Sequence, residues 1–351
     1  MYPDIFMPVI YIFYSMTEII TEIKTKNITV DILKNRTIGV IGYGNQGKSQ
    51  ALNMRDSGLN VIIGNPKDSY LENAVKDGFK VYNIEEACKK SDIIFILIPD
   101  EIQKDVFESK IMPNLKEGNT VVMASGYNYF YGFLKPPEEI NIIMIAPRMI
   151  GWGLRDLYKR DMGFPVLAAI GNDHSGDSRD VLLGLCDAIG VFKESGCAIM
   201  SSFREETLVD LLSEQSWAGA ILFIFRKYFE VATELGASPE VAILEMYASG
   251  ELAEIAESMK DIGLFRQLKT HSRTSQYGQL TRGPEYAGEE ITNLIKRNAM
   301  NILNGIFARE WTNEQMTGEM VFQKLHEINQ EHPMELAERS LYKLLGRDKN
   351  D

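Results

Sequence analysis

Asp210 and Glu214 stand four residues apart in Leu208-Val-Asp-Leu-Leu-Ser-Glu-Gln-Ser-Trp217. In a helix that spacing puts both carboxylates on one face. The apolar residues around them predict that this face is buried. Two buried like charges are costly unless a cation joins them, and hard oxygen ligands of this type suit Mg²⁺. A solvated or Lys/Arg-paired helix face is the plainer reading of the same spacing. Glu245, in Ile243-Leu-Glu-Met-Tyr247 on the next helical run, is also flanked by apolar residues. A different chemistry is written near the start of the chain, in Thr37-Ile-Gly-Val-Ile-Gly-Tyr-Gly-Asn-Gln-Gly47. A β-branched run leads into Gly42-Tyr43-Gly44-Asn45-Gln46-Gly47, and Ala/Leu/Met/Gln-rich residues follow. Strand, tight turn and helix in that order form a pyrophosphate cradle. Gly42 allows the turn, Gly44 lets phosphate approach the backbone, and Gly47 lets helix and strand pack closely. The free N–H groups and positive dipole end of the helix face the phosphates.

These groups need elements to hold them. A second strand, Asn60–Gly64, completes a βαβ unit. The loop Asn65-Pro-Lys-Asp-Ser-Tyr70 follows, where an adenosine ribose would lie. Lys67 and Ser69 there could hold a 2′-phosphate. Asp68 could instead bind two ribose hydroxyls and repel that phosphate, so the loop points both ways, with a lean to NADPH over NADH. Helices are expected at Tyr70–Asp77 and Ile84–Lys90, and strands at 80–82, 92–98, 120–124, 141–146 and 166–170. Val30–Leu33 is expected to pack on the first strand. Strands alternating with helices predict an α/β, Rossmann-like, doubly wound parallel sheet, with ligands beyond the carboxyl ends of the strands. Pro99-Asp100, Ser125-Gly126 and Pro147-Arg148 sit at such ends. From about residue 203 the pattern becomes helical throughout. The expected division is an extension over 1–29, a dinucleotide domain over 30–202 and an all-α domain over 203–351.

The 351 residues allow two domains with cores of their own. A net charge of −12 without a basic block argues against a nucleic-acid partner. Three scattered cysteines, Cys88, Cys186 and Cys197, fit no metal spacing and suit a reducing cytoplasm. Residues 1–15 are apolar but lack a signal peptide's positive start, and are too short to span a bilayer. No other stretch reads as transmembrane. His174, His271, His326 and His332 form no ligand spacing; His271 alone stands beside a candidate site residue. Trp152, Trp217 and Trp311 read as core or interface residues.

Taken together the segments resemble a ketol-acid reductoisomerase of the short class with one helical domain. The resemblance rests on Ile41-Gly-Tyr-Gly-Asn-Gln-Gly47, Ala51-Leu-Asn-Met-Arg-Asp-Ser-Gly58, Asp77-Gly-Phe-Lys-Val-Tyr82, Ile98-Pro-Asp-Glu101 and Pro113-Asn-Leu-Lys-Glu-Gly118. It continues through Phe203-Arg-Glu-Glu-Thr207, Asp210-Leu-Leu-Ser-Glu-Gln215 and Ser272-Arg-Thr-Ser-Gln-Tyr-Gly278. It implies a knotted helical domain and a dimer or larger homo-oligomer with shared active sites. It also implies Mg²⁺, NADP or NAD, and an anionic 2-oxo or 2-hydroxy acid. In the implied reaction an alkyl group of 2-acetolactate migrates and hydride reduces the new ketone, on the way to branched-chain amino acids. By position, Asp210 matches the aspartate that bridges two metals, Glu214 the glutamate of the first, and Glu245 one glutamate of the second. Ser272 matches the serine that holds substrate. Candidate cofactor contacts are Gly42, Tyr43, Gly44, Gln46, Gly47, Lys67, Asp68, Ser69, Pro99 and Gly126.

Three positions depart from the family. Ser125 replaces a histidine, Arg148 a lysine, and Ser249 the second glutamate of a Glu-x-x-x-Glu helix. Arg148 stays charged and cannot move a proton as lysine can, and Ser249 brings no anionic ligand. Glu251 is off the helix face shared by Glu245 and position 249. Asp210, Glu214, Ser125 and Arg148 are the candidate catalytic groups. Arg148 is either a bidentate contact for an anionic substrate or a structural ion pair. Two other readings stand beside the reductoisomerase: a reductase of another 2-oxo acid or an imine without isomerisation, and a non-catalytic cofactor-sensing protein.

Overall fold

The computed structural model describes residues 17–22 and 30–347. The apolar stretch 1–15 lies outside the described residues. The chain divides into two units, Met1–Thr207 and Leu208–Asp351.

The first unit is one nine-stranded sheet with helices on its faces. Its strands are β1 (Ile19–Ile20), β2 (Thr37–Ile41), β3 (Asn60–Gly64), β4 (Lys80–Tyr82), β5 (Ile93–Ile96), β6 (Thr120–Met123), β7 (Asn141–Pro147), β8 (Pro165–Asn172) and β9 (Cys197–Met200). They lie in the order β1-β9-β8-β7-β6-β5-β2-β3-β4. The helices are α1 (Asn45–Asp56), α2 (Ser69–Lys76), α3 (Ile84–Lys90), α4 (Asp100–Val106), α5 (Tyr127–Phe130), α6 (Gly151–Lys159) and α7 (Ser178–Ile189). The continuous apolar strands are explained by burial on both faces. In β5, Ile93 and Phe95 enter one core while Ile94 and Ile96 enter the other; β7 divides Ile143 and Ile145 from Ile142, Met144 and Ala146 in the same way. Side chains alternate across a strand, so an unbroken apolar run supplies two cores at once.

Chain order reverses between β2 and its neighbours β3 and β5, both parallel to it. A crevice opens at such a switch point, and the Gly42–Gly47 turn is placed in it.

One detail differs from the sequence reading. β8 runs antiparallel to β7, with Pro147 opposite Val166. The intervening α6 lies along α1, where Arg155 Nη1 donates to Asn53 Oδ1 (2.7 Å) and Nη2 to Asp56 Oδ2 (2.5 Å). The chain therefore re-enters the sheet from the end it left. Val30–Leu33 forms a 3-10 turn that packs on α7, with Ile32 and Leu33 against Gly184, as well as in the buried cluster that holds Ile38 and Val40 of β2.

The Asp77 carboxylate gathers two contacts behind the nucleotide turn. Tyr43 Oη donates to it at 2.9 Å and Lys48 Nζ pairs with it at 2.9 Å. Burial by itself pushes this carboxyl up, but the hydrogen bonds from Lys48 and Tyr43 hold it below the ordinary aspartate range. A depressed folded-state value gives stability that is present above the unfolded value and lost as pH falls through the folded one. Tyr43→Phe is therefore expected to narrow the gap between urea midpoints at about pH 6 and about pH 3. An unchanged gap would mean that the Tyr43 contact does not hold the carboxylate.

The three cysteines are free thiols. Burial pushes the Cys88 thiol up to about 12 and Cys186 higher still, while Cys197 is partly exposed. Thiolate formation controls reactivity. A thiol reagent on the native protein is expected to label Cys197 well ahead of the other two, read by mass spectrometry; early labelling of Cys88 would contradict its burial.

The second unit is helical throughout its described residues. From residue 203 the helices are α8 (Phe203–Ser213), α9 (Gly219–Glu234), α10 (Pro239–Ile243), α11 (Glu251–Ile262), α12 (Arg273–Arg282), α13 (Glu289–Leu303), α14 (Ile306–Met316), α15 (Met320–Gln330) and α16 (Pro333–Leu344). The core of this unit is thin: Phe229, Ala242, Ile243, Ala248, Ala337 and Leu341 form the buried cluster. Trp217, Leu222, Phe223, Phe265, Tyr277 and Tyr286 are exposed. One helical stretch, Phe203–Glu234, is long and apolar enough to cross a membrane by length and composition, where the sequence reading found none. Asp210 and Glu214, charged residues within it, interrupt the apolar pattern that such a reading looks for.

Candidate active site

The turn after β2 has the geometry its glycines require. Gly42 adopts φ +96°, and a Cβ on Gly47 would stand 2.0 Å from the Gly42 carbonyl oxygen. Around the turn lies a cavity of about 600 Å³ at the carboxyl ends of β2, β3, β5 and β6. Gly42, Tyr43, Gly44, Gln46, Asp68, Pro99 and Ser125 all line it; Gly47, Lys67, Ser69 and Gly126 do not. Tyr43 presents its backbone, because the residue is 1% exposed and its ring packs edge-on against Phe79. Gln46 is held by a hydrogen bond from its Nε2 to the Met149 carbonyl (2.9 Å).

The loop after β3 is organised around Asp68. Its Oδ1 accepts from the N–H groups of Tyr70 (2.9 Å) and Leu71 (3.0 Å), and from Asn65 Nδ2 (2.8 Å). Asp68 is thus the N-cap of α2, a role that carboxylates fill because the first-turn N–H groups lack intrahelical partners. Asn65 also accepts from the Tyr43 N–H at 3.2 Å, joining this loop to the glycine turn. Lys67 is exposed, and Ser69 is the first residue of α2.

At the other end of the cavity the strand ends are tied together. Asn128 Nδ2 reaches Asp100 Oδ1 (3.1 Å) and Gln103 Oε1 (3.1 Å), joining the segment after β6 to α4. Ser125 Oγ accepts from the Tyr127 N–H at 3.2 Å. The main anchor is Glu206, a residue to which the sequence reading gave no role. It is 1% exposed. Its Oε2 accepts the Gly126 N–H at 2.7 Å, and its Oε1 accepts from Arg148 Nη2 at 2.8 Å. Of the two readings of Arg148, the structure contains the ion pair. Glu206 was legible only as one acid in Arg204-Glu-Glu-Thr207, and nothing in that pattern says which of the two points inward.

The candidate metal residues lie in the second unit. Asp210 is half-buried and Glu214 exposed, where the apolar neighbours predicted a buried face. Those neighbours do not close over the pair, since Val209 and Trp217 are themselves exposed. The α-helix Phe203–Ser213 gives way at Glu214 to a π-helical turn, Glu214–Ala218; a second π-turn, Leu244–Ala248, carries Glu245. Single π-turns re-aim side chains and recur at functional sites. The second is pinned by Tyr247, whose hydroxyl donates to Glu338 on α16; burial and that carboxylate both push the phenol's pKa up. Ser249 caps the next segment, its Oγ accepting the Glu251 N–H at 3.3 Å. Gly250 then turns left-handed and Glu251 opens α11, so the unbroken helix assumed for Glu251 is interrupted. Ser272 is the N-cap of the next helix, Arg273–Arg282, and exposed; His271 pairs with Gln267 (3.0 Å). Carboxylates of this kind fit Mg²⁺ in chemistry, but among the described residues no three acidic, His or Cys side chains of one chain gather into a ligand set.

Comparison with known proteins decides the family. The family model "Acetohydroxy acid isomeroreductase, NADPH-binding domain" matches residues 32–195, and "Ketol-acid reductoisomerase, C-terminal domain" matches 203–346. The chain belongs to the ketol-acid reductoisomerase family. It is 47% identical over 326 residues to the "Putative ketol-acid reductoisomerase 3" of Saccharolobus solfataricus, covering 92% of this chain and 98% of that one. To the ketol-acid reductoisomerase (NADP(+)) of Methanocaldococcus jannaschii it is 41% identical, again covering 92% and 98%. Among solved structures, an NADH-preferring ketol-acid reductoisomerase from an uncultured archaeon superposes with a TM-score of 0.85 at 33% identity, covering 93% of this chain and 99% of that one. Ketol-acid reductoisomerases thus include relatives named for each cofactor, and the choice in this chain falls to its own cavity.

Proposed function

We propose that this chain is a cytoplasmic, Mg²⁺-dependent ketol-acid reductoisomerase that converts 2-acetolactate to 2,3-dihydroxy-3-methylbutanoate for branched-chain amino acid synthesis. The observation that carries the reading is the co-linear match of both family domains in a chain that keeps Asp210, Glu214, Glu245 and Ser272. In the reaction a methyl group moves with its bonding electrons from C2 to C3, as the C2 hydroxyl gives up its proton to become a carbonyl and the C3 carbonyl oxygen takes one up to become a hydroxyl. The C2 ketone so formed is reduced. When bound, Mg²⁺ at Asp210, Glu214 and Glu245 supplies the polarisation of adjacent substrate oxygens, and NADPH or NADH the hydride. The protein's own groups orient and shield. The Gly42–Gly47 turn and α1 hold the pyrophosphate, Ser272 holds substrate, and Ser125 offers a hydroxyl where the proton moves. Arg148, paired with Glu206, helps hold the end of β7 in place and moves no proton itself.

Among the described residues of one chain the ligand count does not close. The exposed apolar residues of the second unit exceed what a monomer ordinarily leaves uncovered. Both support a homodimer or larger assembly in which a second copy completes each site. Light scattering after size exclusion is expected to give at least a dimer; a monomer that turns over would sink the shared-site reading.

A second reading, reductase without isomerase, is favoured by Ser249, whose hydroxyl is used to cap Glu251 and adds no anionic ligand. Both readings are tested by following NADPH and NADH oxidation, with and without Mg²⁺, on 2-acetolactate and on 3-hydroxy-3-methyl-2-oxobutanoate. Turnover of both substrates is the expected result. Turnover of the ketone alone would mean that migration is lost. Failure on both would remove the branched-chain role.

A further inference from the structure

Three kinds of wall make up the nucleotide cavity. The Gly42–Gly47 turn provides N–H groups. Ser125 and Pro99 close one end. The remaining lining is Pro66, Asp68 and Tyr70 from the loop after β3, Ile84 of α3, and an edge of α4 formed by Ile102 and Val106. Below that edge the helix continues as a π-turn, Phe107–Ile111, and Lys110 of this turn also lines the cavity. Ile102, Val106 and Lys110 follow at four-residue steps, which puts them on one helix face. Lys110 thus joins the apolar edge of the lining as its one cationic member.

Lys110 is the only Lys or Arg among the described residues that line the cavity, and it is half-buried. Among those residues its ammonium makes no hydrogen bond or ion pair, unlike Lys48, which pairs with Asp77 at 2.9 Å, and Lys116, which donates to the Lys89 carbonyl at 2.5 Å. The two acids of the same lining are committed elsewhere: Asp68 caps α2, and Asp100 accepts from Gln103 (2.9 Å) and Asn128 (3.1 Å). An ammonium that lines a cavity without a counter-charge of its own can make a charge-assisted contact with a bound anion.

We propose that Lys110 is the cofactor-selecting residue of this protein, its ammonium receiving the 2′-phosphate of NADPH. The inference rests on reading the cavity as the nucleotide site. NADPH carries anionic charge at two places, and the pyrophosphate is accounted for by the glycine turn and the start of α1. The remaining charge is on the adenosine ribose, which the loop after β3 faces, and Lys110 lines the same cavity as that loop. Asp68 belongs to that loop and repels a phosphate there, so Lys110 offsets it. Lys67 and Ser69, the residues that the sequence put forward for this role, do not line the cavity.

The test is equilibrium binding of NADPH and of NADH to the full-length protein without substrate or Mg²⁺, read by nucleotide fluorescence and by calorimetry. Lys110→Gln is expected to raise the Kd for NADPH by about tenfold or more while the Kd for NADH moves by less than about twofold. Lys104→Gln makes the same charge change on an exposed position of α4 outside the lining, and is expected to leave both constants within about twofold. Unchanged NADH binding shows that the Lys110 variant is folded. An equal loss for both nucleotides would place Lys110 on a part they share and overturn the assignment, as would no loss for either. A wild-type protein that binds neither nucleotide would overturn the cavity reading itself.

Discussion

Replacing Asp210 by Asn is expected to lower Mg²⁺-dependent turnover of 2-acetolactate by at least about 10³-fold while leaving NADPH binding unchanged. Lewis-acid stabilisation of developing charge is worth several kcal/mol, and about 4 kcal/mol corresponds to roughly that factor. The substitution keeps size and hydrogen bonding but removes the charge of the residue that matches the family's bridging carboxylate. The Mg²⁺ concentration for half-maximal rate is expected to rise with it, and calorimetric Mg²⁺ binding to weaken. Asp210 belongs to the helical unit while the nucleotide cavity is built wholly from the first, so NADPH affinity acts as the internal control. Turnover within about tenfold of wild type would sink the metal role of Asp210 and return the Asp210/Glu214 pair to an ordinary acidic helix face.

The second large effect is expected at Glu206. Glu206→Ala removes the acceptor of the Gly126 N–H and the counter-charge of Arg148 in one step. Breaking a buried pair by removing one partner costs about 3–5 kcal/mol. The Arg148 side chain is 30% exposed, so water takes up part of its charge, and a loss of about 2–3 kcal/mol is the appropriate expectation. The functional consequence comes from geometry. Glu206 holds the ends of β6 and β7 together, and these ends carry Ser125 and Arg148. A displacement of about 1 Å at such a site costs about 10²-fold in rate. Glu206→Gln separates the two roles, because its amide oxygen still accepts the Gly126 N–H while the charge is lost. The expected order of kcat is wild type, then Gln, then Ala, with KM for the anionic substrate rising only where Arg148 is freed to move. Equal kcat in all three proteins would mean that the frame around Gly126 is held by other contacts.

The sequence carried the dinucleotide fold nearly to the residue. The strands at 37–41, 60–64 and 80–82 were legible because β-branched runs bounded by Gly, Asn and Asp admit few other structures. The direction of β8 was not, because Val166–Ile170 reads identically whichever way it runs; the ties from Arg155 to α1 decide it. The short strand Ile19–Ile20 and the strand Cys197–Met200 carried too little pattern to be read alone. Burial at the candidate metal site was misjudged for a related reason. Apolar residues around Asp210 and Glu214 report that a surface will be covered, but not whether this chain covers it. Glu251 was placed by assuming one continuous helix, an assumption that the left-handed Gly250 breaks.

What the sequence determined by itself is therefore the local chemistry: a glycine turn that only a phosphate-binding crevice requires, carboxylates at helical spacing, and substitutions at three family positions. Each follows from residue type and near-neighbour spacing, which are properties of a short stretch of chain. The tertiary structure decided which of these groups have partners. Glu206 reaches across 80 residues to Gly126 and 58 to Arg148. Lys110 meets a cavity whose other walls come from β2, β3 and β6. Such pairings depend on where the sheet brings distant strand ends together, and no local pattern encodes that.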